Sequence, residues 1–110
     1  MSAYSRSGRG YILLGEMDSE GDDVFETYTV PSGIVDADIL IGGEFNGRVT
    51  VVGRYLSTAG ADPLDVTIGD TTGVSARLAV AAPFPSALVV SWEAGALNTV
   101  QIALLPRVIQ

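Results

Sequence analysis

The sequence predicts an all-β protein: a single small antiparallel β-sandwich or jelly-roll-like barrel of about eight strands, with almost no helix. In short segments, apolar and polar residues alternate with a period of two, and Gly, Pro and Asn-Gly turns separate these segments at short intervals. The chain has 110 residues, 47% of them hydrophobic and 17% charged, which suits one packed core. Strands with this spacing are typical of a sandwich, jelly roll or small barrel.

Residues that disfavour β-structure separate the predicted strands. Residues 1–9 are mostly Ser, Gly and Arg, and we expect a flexible N-terminal arm there, followed by one domain over residues 10–110. Acidic residues follow the first strand, Pro31 and Gly33 end the second, and Pro83 and Pro85 precede the seventh. The predicted strands cover residues 11–14, 24–30, 34–41, 48–56, 64–68, 74–81, 88–92 and 98–105.

Two of the connections are predicted to be hairpins. Asn46 and Gly47 supply the positive φ angles of a type I′ turn, so strands near 38–45 and 48–56 should pair antiparallel. Residues 93–96 are predicted to form a second hairpin loop that leads into the last strand.

The charge of the chain restricts its partners and location. The net charge is −7, and nine of the thirteen acidic residues lie between Glu16 and Glu44, a field that repels phosphate and argues against nucleic acid. The longest apolar runs are of strand length, so we expect no signal peptide, no membrane span and no membrane partner. The predicted protein is soluble, or located in the virion if it is viral.

Catalysis is limited by missing side chains, because the chain has no His, Cys or Lys. It cannot build a Ser-His-Asp triad, a Ser-Lys dyad, a Schiff base, a disulfide or a His-ligated zinc site. Carboxylate chemistry remains, but a small sandwich rarely offers the deep cleft that a glycosidase needs. We predict a protein that is not an enzyme and has no cofactor.

Two groups of carboxylates are candidate cation sites. Residues 16–23 carry hard oxygen ligands suited to Ca²⁺, and Gly21 would permit a sharp turn, although the spacing is not that of an EF-hand and a solvated loop is the simpler interpretation. The candidate calcium ligands are Asp18, Glu20, Asp22 and Asp23. Asp36 and Asp38 share one face of a strand, opposite Val35, Ala37, Ile39 and Ile41, and either join a cation site or form a wet or Arg-paired face.

Aromatic residues suggest an alternative function, a small carbohydrate- or calcium-binding β-sandwich module. Trp92 and the tyrosines would form a platform for sugar stacking, whereas a single Trp in an apolar strand is more simply a core or interface residue. The tyrosines are Tyr4, Tyr11, Tyr28 and Tyr55.

Two apolar segments, residues 79–85 and 104–110, either fill the core or form a surface for self-association. If they are exposed, the expected partner is another copy, because most soluble oligomers are closed and symmetric. The candidate self-association residues are Pro83, Phe84, Pro85, Val108 and Ile109.

In its size, its acidity, its lack of Cys and catalytic side chains, and its short polar arm, the chain resembles the small all-β decoration, or cement, proteins of tailed-phage capsids. The resemblance is compositional and rests on no diagnostic motif. It implies a β-rich homo-oligomer, a trimer being favoured, that binds a protein lattice such as a capsid shell and stiffens it. The arm, with Tyr4, Arg6 and Arg9, is then the expected contact with an acidic patch of the shell.

Overall fold

A computed structural model, which describes residues 10–94 and 97–107, contains eight strands in two antiparallel four-stranded sheets. No helix occurs in these ranges, so none is present that could cross a membrane. The strands are β1 (Ile12–Glu20), β2 (Val24–Thr29), β3 (Ala37–Glu44), β4 (Gly47–Tyr55), β5 (Leu64–Thr72), β6 (Ala76–Leu78), β7 (Ala87–Ala94) and β8 (Leu97–Pro106). The predicted all-β fold class is confirmed.

The strand order is that of a jelly roll. Sheet 1 has the order β1-β8-β3-β6, and sheet 2 has the order β2-β7-β4-β5. The pairs β1–β8, β2–β7, β3–β6 and β4–β5 are nested along the chain, as in one long hairpin rolled into two layers. Eight strands in two such sheets define the jelly-roll sandwich.

This topology contradicts both predicted hairpins. The segments joined by Asn46 and Gly47 lie in different sheets, because β3 pairs with β6 and β8 whereas β4 pairs with β5 and β7. Gly47 has a φ of 84°, but no described residue other than glycine has a positive φ, so the turn is not type I′. The strands on either side of residues 95–96 also belong to different sheets.

Several strand boundaries also differ from the prediction. β1 runs through the acidic segment to Glu20, so the loop between β1 and β2 contains only residues 21–23. β5 continues past Gly69 to Thr72, and β6 shrinks to three residues. For β1 and β5 a neighbouring strand supplies the ladder that local composition did not indicate: β8 pairs with β1 up to Glu20, and β4 pairs with β5 up to Thr72.

The core lies between the two sheets and is built from the inward-facing residues of alternate positions. Trp92 on β7 is 1% exposed, and its indole meets Phe45 edge to face with ring centroids 6.3 Å apart. The indole nitrogen donates a hydrogen bond of 2.8 Å to the carbonyl oxygen of Asn46. These contacts hold the short connection between β3 and β4 against the core, where it crosses from one sheet to the other. The connection therefore does not form a hairpin.

Candidate functional site

The carboxylates of Asp36 and Asp38 are paired with arginines. Arg77 Nε donates to Asp38 Oδ2 at 2.7 Å, and Arg107 Nε donates to Asp36 Oδ1 at 2.8 Å. The Arg107 guanidinium also donates to Asp38 and to the carbonyl oxygen of Val80. The Arg-paired interpretation of this face is therefore confirmed, and the cluster ties β3, β6 and the end of β8 together.

The same segment contains one error of the sequence analysis. Val35, which was predicted to face inwards with Ala37, Ile39 and Ile41, is 66% exposed, whereas the other three are buried. Val35 lies before β3 begins at Ala37, so the strand alternation does not extend to it.

Asp18, Asp22 and Asp23, the candidate calcium ligands whose side chains the structure describes, form no group that could hold a metal ion. Asp18 accepts a hydrogen bond of 2.7 Å from Thr99 on β8, while Asp22 and Asp23 lie in the loop beyond β1, and Asp22 uses its carbonyl oxygen to accept a bond from Ser19. Within residues 10–94 and 97–107, no three Asp or Glu side chains form a group that could hold a metal ion. The side chain of Glu20 lies outside the described part of the structure.

The aromatic residues are dispersed. Trp92 is buried in the core and offers no face for a sugar to stack on. Tyr11 is 60% exposed on the first sheet, Tyr55 donates a hydrogen bond to the carbonyl oxygen of Pro83, and Tyr28 is half-buried. Burial, and then the nearby Glu26 carboxylate, raises the pKa of the Tyr28 phenol.

The apolar segment 79–85 is divided between core and surface. Phe84 is 8% exposed and Pro85 is among the fully buried side chains, whereas Pro83 is exposed. This corrects the prediction for Phe84 and Pro85, because both side chains are buried and are not available to a partner. Pro85 occupies the place that a side chain at Gly53 would take, since a Cβ there would lie 2.9 Å from Pro85 Cγ.

The remaining predicted partner residues lie outside the described ranges. These are Tyr4, Arg6 and Arg9 of the arm, and Val108 and Ile109 at the C-terminus.

The outer face of sheet 1 carries an apolar patch, which we call the sheet 1 patch. Leu13 on β1, Ala103 on β8 and Leu40 on β3 lie side by side in register, and Tyr11 extends the row. Together with Gly42 and Gln101 they line a shallow concavity of about 220 Å³. Tyr11 and Leu13 are 60% and 46% exposed, so this row presents apolar area to solvent.

A second apolar surface, which we call the β5 shelf, lies at the edge of sheet 2. Leu64 and Val66 of β5 are 73% and 54% exposed, and Leu56 before the strand is 62% exposed. Tyr55, which pairs with Leu64, connects the shelf to Pro83 through its hydroxyl, with a hydrogen bond of 3.2 Å. Residues 55–64 also border a shallow concavity of about 420 Å³.

The outer face of sheet 2 carries ion pairs between its arginines and its carboxylates. Arg54 forms a bidentate pair with Asp65, at 2.8 and 3.0 Å, and Arg48 donates to Glu93 at 3.0 Å. The hydrogen bond from Arg54 lowers the pKa of Asp65. The charges on this face therefore have partners within the chain.

Sequence reasoning missed the sheet 1 patch and the β5 shelf. Leu13, Leu64 and Val66 belong to segments that were correctly predicted as strands, whereas Tyr11 lies immediately before β1. The exposure of these residues depends on which strand lies opposite. No pattern within these segments indicates which of their residues stay exposed. Comparison of the chain with protein-family models, with curated proteins and with solved structures found no match.

Proposed function

We propose that this chain is a structural protein without enzymatic activity that self-associates and binds a larger assembly. The observation that carries the proposal is the exposure of large apolar side chains on a sandwich whose core is already filled. The core does not bury the large apolar side chains of Tyr11 and Leu13 at sheet 1, nor those of Leu64 and Val66 on sheet 2. Contiguous apolar surface of this kind typically marks a protein interface.

The larger assembly that we propose is a capsid shell or a comparable protein lattice. Jelly rolls occur among viral capsid proteins, which agrees with the compositional resemblance to phage decoration proteins, although a fold alone does not fix a function. Many identical sites on a lattice provide avidity without strong single contacts. We propose the virion as the location, another copy as the first partner in a closed oligomer, and the lattice as the second.

The self-association proposal is tested by the absolute mass in solution, measured by light scattering coupled to size exclusion, with and without Ca²⁺. A calcium-independent closed oligomer at a multiple of 11.4 kDa supports the proposal. A monomer at all concentrations up to about 100 μM would remove self-association in solution. A mass that changes with Ca²⁺ would instead favour the calcium-binding alternative and its acidic residues.

The role of the arm is tested separately. Co-sedimentation with the assembled particle compares the full chain, a chain lacking residues 1–9, and a chain in which Tyr4, Arg6 and Arg9 are changed to Ser. We expect both variants to fold normally and to bind the particle more weakly. Equal binding by all three chains would rule out the arm as the lattice contact.

A further inference from the structure

The four edge strands of the sandwich differ in how well they are protected against pairing with another chain. β1 carries Glu16, Asp18 and Glu20 and contains a bulge, and β2 has six residues with Glu26 among them. β6 has three residues. Charges, bulges and short length are the devices that prevent edge strands from pairing, so these three edges are protected.

β5 is the least protected edge, although it too contains a bulge, at Ile68. It has nine residues, and its two carboxylates, Asp65 and Asp70, lie beside Arg54 and Arg48 of the neighbouring strand, with Arg–Asp distances of 2.8 and 3.9 Å. A strand edge presents unpaired backbone N–H and C=O groups, which another strand can satisfy. The negative charge that would repel a second copy is partly balanced before any contact forms.

The side chains of β5 add an apolar row to this edge. Leu64 and Val66 pair with Tyr55 and Gly53 and therefore point to the core side of sheet 2, yet they are exposed. The facing strand β6 ends at Leu78, whose side chain packs over Gly69, so β6 does not extend over Leu64 and Val66. A partner that pairs with β5 would complete this part of the sandwich.

We infer that two copies of the chain join edge to edge through β5, antiparallel about a two-fold axis at Val66. The inference rests on the self-association proposed above and names its surface. Val66 of one copy then lies opposite Val66 of the other, and Leu64 lies opposite Ile68 of the second copy. The core-side row of the contact is entirely apolar, with cross-strand pairs of the kind that stabilise sheets.

The bulge in β5 selects this register. The register against β4 shifts between Thr67 and Gly69, which divides β5 at Ile68 and leaves residues 64–67 as its regular half. Centred on Val66, the contact spans residues 64–68, which are this half and Ile68, and places Asp65 opposite Thr67 of the second copy. Between residues 64 and 68 no carboxylate faces a carboxylate, and Asp62, which the same register would place opposite Asp70, precedes β5. The paired segment itself therefore avoids like-charge repulsion between chains that each carry a net charge of −7.

The contact is closed, because each copy uses its single β5 edge and a two-fold axis leaves no further β5 to pair. It also continues into the rest of the β5 shelf, where Leu56 and Pro83 are exposed next to Tyr55. Pro83 is thus the one described residue of the predicted self-association set that lies beside the contact. The expected species is a dimer of twice 11.4 kDa, or an even-numbered assembly built from it.

The loss-of-contact test compares Val66→Glu with Val74→Glu. Both valines are exposed, at 54% and 62%, and both variants add one negative charge, but Val74 lies in the turn after β5, outside the contact. Two glutamates would meet at the axis in Val66→Glu, so we expect the dissociation constant to rise at least about tenfold, and no such change in Val74→Glu. Sedimentation equilibrium measures both, and equal dissociation constants for the two variants would overturn the inference.

The gain-of-contact test uses Thr67→Arg and its control Thr72→Arg. Both threonines are exposed on β5, but only Thr67 lies opposite Asp65 of the second copy in the inferred register. We expect Thr67→Arg to tighten the dimer and Thr67→Glu to weaken it, with little change in Thr72→Arg. A Thr67→Arg chain that binds no tighter than Thr72→Arg would contradict the register.

The wild-type mass separates the two proposals. A dimer that Val66→Glu dissociates supports both. A trimer, or a dimer that Val66→Glu leaves intact, retains self-association and overturns the β5 contact. A monomer at about 100 μM overturns both.

Discussion

Gly43 shows how a single backbone position is fixed by its neighbours. It has a φ of 103°, and a Cβ there would lie 2.3 Å from the carbonyl oxygen of Thr99 on β8. Gly42, the residue before it, has no atom within 4 Å of such a Cβ and no positive φ. We expect Gly43→Ala to lower the free energy of unfolding by about 3 kcal/mol, and Gly42→Ala to change it by less than about 1 kcal/mol. Urea denaturation measures the free energy of unfolding of both variants. Equal free energies would show that a side chain at Gly43 does not clash with the backbone of Thr99.

Asp65 makes stability depend on pH in a definite direction. The hydrogen bond from Arg54 lowers the pKa of the Asp65 carboxyl below its unfolded value of about 3.9, so the pair stabilises the fold above that pH and the contribution disappears as pH falls through the folded pKa. We therefore expect Asp65→Asn to be less stable than the wild type at pH 7, and the difference to shrink as the pH falls below about 3.9. Thermal melts at low protein concentration test this. Because the pair is exposed, added salt should reduce the pH 7 difference, and a difference that grows at acid pH would contradict the assignment.

At the scale of elements, the Asp38 cluster fastens three segments of the sandwich that are far apart in sequence. The Asp38 side chain is 5% exposed and accepts hydrogen bonds from Arg77 and Arg107. Asp38→Ala leaves both guanidinium groups without this partner, and we expect it to cost about 2 kcal/mol of unfolding free energy. Asp70→Ala is the control, because that carboxylate is 54% exposed and 3.9 Å from Arg48, and it should cost no more than about 0.5 kcal/mol. Equal costs in chemical denaturation would mean that the cluster does not fasten the strands.

The strands themselves were largely predictable, whereas their partners were not. Alternation placed Ala37, Ile39 and Ile41 on the buried face of one strand, because a period of two is a local property of the chain. The prediction for the Asn46-Gly47 turn was wrong because the same two residues can form a hairpin turn or a connection between two sheets. Here the backbone of Asn46 forms hydrogen bonds with the distant Trp92 and Asn98, and these hold it in a connection between sheets. The exposure of Leu64 and Val66 depends in the same way on where β6 ends. A local pattern holds no information on such long-range contacts.

For the whole molecule, the nested strand order makes the last strand essential to the first. β8 lies between β1 and β3 in sheet 1, and its inward side chains Val100, Ile102 and Leu104 are fully buried. Each such side chain contributes about 1.5–3 kcal/mol when it is buried, and without β8 the β1 strand loses its partner in the sheet. That loss is comparable to the whole stability of a small domain, about 5–15 kcal/mol.

A chain that ends at residue 96 is therefore expected not to fold, whereas a chain that begins at residue 10 retains all eight strands and is expected to melt cooperatively. Far-ultraviolet circular dichroism follows the sheets, and the fluorescence of Trp92, buried at 1% exposure, follows the core. Both signals should change together in one transition for the chain that begins at residue 10 and show no transition for the chain that ends at residue 96. A cooperative melt of the chain that ends at residue 96 would mean that sheet 2 is stable without a complete sheet 1. That result would conflict with a core that both sheets share.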